Sequence, residues 1–276
     1  MHEVSAPEFS LQASLSSGQA FRWTLHDGWH YGFIGRSVLK VRQESGRLVY
    51  DSSDHALSPD RVSRYFALDL DLPGILTTIN VDMQIHHAIR AHRGLRVLRQ
   101  DPWETLASFI CASFNNIKRI EGMIERLCQA YGDPVALNGF RGFAFPAPEK
   151  IAAAPERHLR ALGLGYRAPY LKGTAKLVLD GGLPAEQLRQ LDYEAVKRAL
   201  LACDGVGDKV ADCVALFGFE KYEAFPVDVW IERAMRYYFR HRKATRGKIH
   251  EYARRHFGPW AGYAQQYLYH HLRTLR

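Results

Sequence analysis

Residues 192–219, DYEAVKRALLACDGVGDKVADCVALFGF, place two helical patterns around Gly205-Val206-Gly207. Glycines on both sides of a β-branched residue make a tight turn where backbone can closely approach a ligand. The second helix is expected to begin at Asp208, leaving free backbone N–H groups pointing outward. Such groups suit a phosphate oxygen. Taken alone, the segment is equally a plain αα-hairpin. Lys209 shifts that balance, because it lies one residue into the helix, where its charge opposes the helix dipole. Dipole and desolvation both favour a free amine, the form that attacks an electrophilic carbon. The alternative is a surface or phosphate-neutralising lysine. Nineteen residues on, Asp228 stands between Val227 and Val229 at the start of another helix. Flanking by aliphatics places the carboxylate in an apolar cleft, and an N-cap role is compatible with a catalytic one.

The elements that must position these residues follow from periodicity. From Gln19 to Tyr50, apolar and polar residues alternate between turn signals at His26-Asp27-Gly28, Gly35-Arg36-Ser37 and Glu44-Ser45-Gly46. This pattern predicts an antiparallel meander with one buried face. Helical spacing begins after Pro59 and dominates from Asp101-Pro102, where Asp101 with Glu104 three residues on reads as an N-cap. Helices are expected around 148–162, 167–180, 184–203, 208–219, 227–240, 246–257 and 260–272. The fold class is α+β, with a β-rich domain over residues 1–100 and a helical domain over 101–276.

Composition narrows the partners. The chain has 37 Lys+Arg against 29 Asp+Glu, a net charge of +8, and Arg236 to Arg255 supplies eight basic residues against Glu251. This excess favours a polyanionic partner without establishing one. No apolar run is long enough for a membrane span, and the first residues do not read as an export signal. A cytoplasmic, nucleoid or nuclear location is therefore expected. Cys111, Cys128, Cys203 and Cys213 show no CxxC pairing, which favours reduced thiols over a disulfide or cluster. The adjacent pairs His86–His87 and His270–His271 read as surface or packing residues rather than metal ligands.

LLACDGVGDKVADCVALFGF followed by AFPVDVWI resembles the helix–hairpin–helix, Gly/Pro-rich loop and aspartate signature of base-excision DNA glycosylases. The lysine-bearing form with VADC is similar to the 8-oxoguanine DNA glycosylase/AP lyase branch. SSGQAFRW (16–23), RYFALD (64–69), the stretch 98–132, LGLGYRAPY (162–170) and GPWAGYAQQYLY (258–269) extend the likeness over nearly the whole chain. The resemblance implies a helical HhH-GPD domain after the sheet, with the active site in the cleft between domains. It implies damaged double-stranded DNA as partner, action as a monomer and no cofactor.

Carried over residue by residue, the resemblance makes Lys209 the nucleophile that attacks an extruded nucleotide, and Asp228 the group that stabilises positive charge on the sugar. The Gly18 carbonyl would accept the N7 proton that 8-oxoguanine has and guanine lacks. Gln265 would read the Watson–Crick edge, Cys213 and Tyr269 would sandwich the base, and Pro226 would line the pocket; core packing remains the alternative for Tyr269. Tyr166 resembles the wedge entering the duplex, and Arg119 and Arg167 match arginines that contact the orphaned cytosine. Gly205, Val206 and Gly207 would meet phosphate, and the carbonyls of Leu201, Cys203 and Val206 match those that hold a monovalent cation in the family.

Two departures bear on specificity. Phe114-Asn115-Asn116 stands where the family pattern has three asparagines, so Phe114 lacks the hydrogen bonds that contact cytosine and can only stack. Trp230 stands where the family often has histidine. A related glycosylase with another lesion or a relaxed opposite-base preference is therefore the alternative. A non-catalytic DNA-binding protein is a more remote one, since phosphate binding alone needs neither Lys209 nor Asp228.

Overall fold

The computed structural model describes residues 1–113, 115–239 and 244–275. Five strands, β1 (His2–Ser5), β2 (Thr24–His26), β3 (Trp29–Ile34), β4 (Ser37–Glu44) and β5 (Arg47–Ser52), form one antiparallel sheet in the order β1-β5-β4-β3-β2. The expected turns close the β2–β5 meander, with Gly28, Gly35 and Gly46 at positive φ. The first strand was not legible as one: HEVS is short and mostly exposed, and it is defined by pairing with β5 rather than by its own pattern.

Alternation assigns the two faces. Leu39 and Val41 point into one core with Leu48, Tyr50, Val62 and Phe66. Val38 points the other way and joins Tyr31 and Leu137 in a smaller cluster. That second face is covered by a hairpin, β6 (Pro134–Leu137) and β7 (Phe140–Phe143), with Phe140 stacked 4.7 Å from Tyr31. Both sheet faces are thus covered, and the hairpin is a β element, not read from periodicity, within a second part that is mostly helical as expected.

The rest of the chain is helical and shares one large core, from Leu72 to Leu268. Asp101 caps helix Pro102–Ala112 by accepting the Glu104 N–H, as expected. The helix expected over 184–203 divides into Ala185–Gln190 and Tyr193–Leu201, because Asp192 caps the second piece by accepting the Ala195 N–H at 2.8 Å. The segment 148–162 breaks likewise before Pro155, which cannot continue the hydrogen-bond ladder. Helices 208–219 and 246–257 keep their expected bounds.

Candidate active site

The Tyr193–Leu201 and Asp208–Phe219 helices meet at Gly205-Val206-Gly207. Gly205 has φ +78°, and a Cβ there would fall 2.5 Å from the Tyr170 ring, so both conformation and packing demand glycine. Gly207 is different: its φ is ordinary, it is the N-cap, and a Cβ would meet nothing within 4 Å. Glycine at the N-cap offers no side-chain acceptor to the leading N–H groups of this helix. The Val206 side chain is buried beneath the turn. Of the carbonyls implied for a cation, that of Cys203 accepts the Val206 N–H at 3.1 Å.

The helix after this turn carries the nucleophile candidate. Lys209, Cys213 and Phe217 recur every fourth residue and line one cleft. The half-buried Lys209 Nζ lies 4.9 Å from the Phe109 ring centroid, and the Cys213 thiol is one turn further on. Burial pushes that thiol up to about 12 despite the opposing Lys209 cation, so Cys213 faces the cleft as a neutral, polarisable wall. On an adjoining face of the helix Asp212 is fully buried. It accepts from Tyr193 Oη at 2.6 Å and lies 3.0 Å from Lys197 Nζ and 3.2 Å from His250 Nε2. Burial raises its carboxyl, with His250 and Lys197 opposing, and these partners lock the helix to its two neighbours.

Asp228 closes another side of the cleft. Its Oδ1 accepts the Trp230 and Ile231 N–H groups at 3.0 and 2.9 Å, so it caps helix Val229–Tyr238. Oδ2 takes no part in these bonds. Pro226 and Val227 before it are buried, but Val229 is 55% exposed. The apolar cleft expected around the carboxylate is thus not built by the flanking valines: Val229, first residue of the helix, is exposed, and Pro226 with the aromatic walls supplies the apolar surroundings instead.

Gly18 brings the N-terminal region to the same place. Its φ is +76°, and a Cβ would lie 2.9 Å from Arg273 Nη1, 3.2 Å from Tyr269 and 3.3 Å from Ile117. The fully buried Gln19 side chain fixes this turn, donating to the Ser14 and Arg96 carbonyls and accepting the Leu98 N–H. Gln266 Nε2 donates to the Ser17 carbonyl at 2.9 Å, tying the turn to helix Ala261–Thr274. From that helix Gln265 and Tyr269 enter the cleft one turn apart. Gln265 is 5% exposed and its Oε1 is buried without a hydrogen-bond partner. Burial raises the Tyr269 hydroxyl to about 12.

Lys209, Asp228, Gly18, Cys213, Pro226, Gln265 and Tyr269 thus line one cleft, of ≈ 40 Å³. Phe109, Phe217 and Gln266 complete it and were not foreseen. The two phenylalanines, stacked 5.7 Å apart, read in sequence as ordinary core positions of apolar helices. The residues implied to face the duplex lie outside this lining. Phe114 falls outside the described residues. Asn116 caps helix Ile117–Tyr131 by accepting the Arg119 N–H; the Arg119 side chain is exposed and Asn115 is half-buried. Tyr166 is 49% exposed. Arg167 is buried instead, stacked 4.4 Å under Tyr166 with Nε and Nη2 donating to the Ser113 carbonyl. The Trp230 ring is half-buried, with the Arg233 guanidinium 5.2 Å from it.

Residues 1–106 match the family described as 8-oxoguanine DNA glycosylase, N-terminal domain, and residues 107–259 match HhH-GPD superfamily base excision DNA repair protein. A probable N-glycosylase/DNA lyase of Methanothermobacter thermautotrophicus is 31% identical, over 98% of this chain and 95% of its own. The N-glycosylase/DNA lyase of Saccharomyces cerevisiae is 33% identical over 83% of this chain and 68% of its own. The Clostridium acetobutylicum 8-oxoguanine glycosylase/lyase, solved with duplex DNA bearing cytosine opposite 8-oxoguanine, superimposes with a TM-score of 0.93 at 30% identity, covering 100% of this chain and 98% of that one. A five-stranded sheet, a helix–hairpin–helix domain and a lysine–aspartate cleft therefore have one family context: the chain belongs to the 8-oxoguanine DNA glycosylase/AP lyase branch of the HhH-GPD superfamily.

Proposed function

We propose that the protein excises 8-oxoguanine from duplex DNA and then cleaves the strand at the resulting site. The observation that carries this reading is convergence: Lys209 and Asp228, from neighbouring helices late in the chain, and the Gly18 turn near its start border one cleft. The cleft's ≈ 40 Å³ is far below the ~300 Å³ of a small ligand site. Entry of a flipped base therefore separates Tyr269 from Cys213, and the energy of duplex binding supports that opening.

The Lys209 Nζ lone pair forms a bond to the sugar C1′ as the C1′–N9 bond breaks and the base departs with a proton. One N–H proton of the attacking amine passes to the departing base and the other to O4′ as the C1′–O4′ bond opens, which leaves a Schiff base. The imine acidifies the C2′ hydrogen, whose loss breaks the C3′–O bond and releases the 3′ phosphate. Asp228 Oδ2 is the charge that stabilises the electron-deficient sugar while Oδ1 holds the helix. Borohydride traps the Schiff base, so wild-type protein with lesion duplex gives a covalent complex and Lys209→Gln gives none. Trapping that persists in Lys209→Gln removes this residue from the role.

A second reading concerns the opposite base. Phe114 has no donor for cytosine, and Arg167 is buried and already bonded to the Ser113 carbonyl. Of the two arginines, only Arg119 is exposed, and these facts favour a relaxed preference. Excision of 8-oxoguanine opposite each of the four bases tests it, and a strong cytosine preference contradicts it.

A further inference from the structure

Resting on this reading, we infer that Arg273 is a specificity-determining residue that donates a hydrogen bond to an exocyclic oxygen of the flipped lesion base. Helix Ala261–Thr274 presents Gln265, Tyr269 and Arg273 at four-residue steps, hence on one face. The first two line the cleft. Arg273 follows with its guanidinium carbon 5.3 Å from the Tyr269 ring centroid and its Nη1 2.9 Å from where a Gly18 Cβ would be. That Nη1 is buried and has no hydrogen-bond partner, whereas the rest of the half-buried guanidinium interacts with the Tyr269 hydroxyl; among the described residues no carboxylate lies within 4.0 Å of the group.

A buried guanidinium nitrogen left without an acceptor is costly, so its persistence beside a ligand cleft marks a place kept for an incoming acceptor. Gln265 shows the complementary situation, a buried acceptor oxygen left unbonded. One face of one helix thus carries an unpaired acceptor and an unpaired donor, with an aromatic ring between them. A purine with N–H groups on its Watson–Crick edge and carbonyl oxygens beside N7 supplies both missing partners. In 8-oxoguanine the N7–H assigned to the Gly18 carbonyl is flanked by the oxygens on C8 and C6. A donor packed against Gly18 meets one of them. A single N–H contact discriminates modestly, and a charge-assisted bond on the same edge sharpens it. A backbone phosphate fits less well, because phosphates stay at the solvated rim while Nη1 is buried.

An abasic site has no base for Arg273 to touch, which separates recognition from mere support of Tyr269. Single-turnover release of 8-oxoguanine and incision of a preformed abasic site are compared in wild type, Arg273→Leu and Arg273→Lys. Arg273→Leu is expected to slow base release about ten- to a hundredfold while abasic-site incision stays within about twofold. Arg273→Lys, which keeps a donor, falls between wild type and leucine on base release alone. Unchanged base release in Arg273→Leu, or parallel loss of both activities in Arg273→Lys, overturns the assignment. A wild-type protein that incises abasic sites but leaves 8-oxoguanine in place overturns the substrate reading instead.

Discussion

The cleft proposed to hold the lesion and the connections proposed to meet the duplex are built differently. The cleft groups sit on or beside regular helices, with Lys209, Cys213 and Phe217 on one and Gln265 and Tyr269 on another, and most are buried. The groups implied to meet the duplex sit on connections. Tyr166 follows Gly163 and Gly165, both at positive φ, Asn115–Asn116 joins two helices, and Gly205–Gly207 is the hairpin turn. Bond-breaking chemistry loses rate steeply when reacting groups are misplaced, and rigid elements hold them. Contacts to a deformable backbone tolerate adjustment, and loops supply it. Substitutions should therefore act sharply and selectively in the cleft and gradually on the duplex side.

The largest effect after loss of Lys209 is expected at Asp228. Asparagine is as good an N-cap as aspartate, so Asp228→Asn keeps a capping acceptor while removing the charge. Excision should fall about 10²–10³-fold with thermal stability nearly unchanged. A single-turnover rate near wild type removes the charge from the mechanism, and a large drop in Tm assigns the residue to the cap alone. Gly18→Ala comes next. It forces a side chain into φ +76° against Arg273, Tyr269 and Ile117. Base release should fall about tenfold or more, with abasic-site incision less affected, because the turn is assigned to reading the base. Equal loss of both activities argues that Gly18 shapes the whole cleft instead.

The same contrast explains what the sequence revealed. Lys209 and Asp228 stand out because a cation early in an apolar helix and a carboxylate between valines are unusual positions for those types. The β2–β5 meander was legible from its alternation and turns, whereas β1 and the β6–β7 hairpin depend on partners distant in the chain. Phe109 and Phe217 were hidden because an apolar residue facing a cleft has the same helical spacing as one facing the core. Arg273 was hidden because its meaning lies in its distance to Gly18, 255 residues away in sequence. Arg167 was legible as an arginine of the motif, but only the structure reveals that its bonds go to the Ser113 carbonyl.

A smaller effect is expected on the duplex side. Tyr166 is exposed, makes an edge contact with Tyr170 and lies over Arg167, so Tyr166→Ala removes little packing. Base release should slow by about tenfold through loss of the stacking that replaces the flipped base. Excision from a duplex whose lesion is already unpaired should be less affected. Equal slowing on both substrates removes the wedge role.

The smallest expected effect, on stability rather than rate, comes from behind the cleft helix. Cys213 and Tyr269 are held at about 12, so neither titrates near neutral pH. On the same helix His270 is lowered from 6.5 to about 4, first by burial and then by His92, Arg273 and His271. Its ring packs 4.3 Å from that of His92, which burial lowers as well. Between pH 6.5 and 4 the unfolded chain binds a proton at this position and the folded chain does not. Stability is therefore complete above about 6.5 and declines as pH falls toward 4. Thermal unfolding across that range should show a falling Tm, with a shallower slope in His270→Phe. An unchanged slope in that variant would place the acid sensitivity elsewhere, His250 beside Asp212 being the next group to replace.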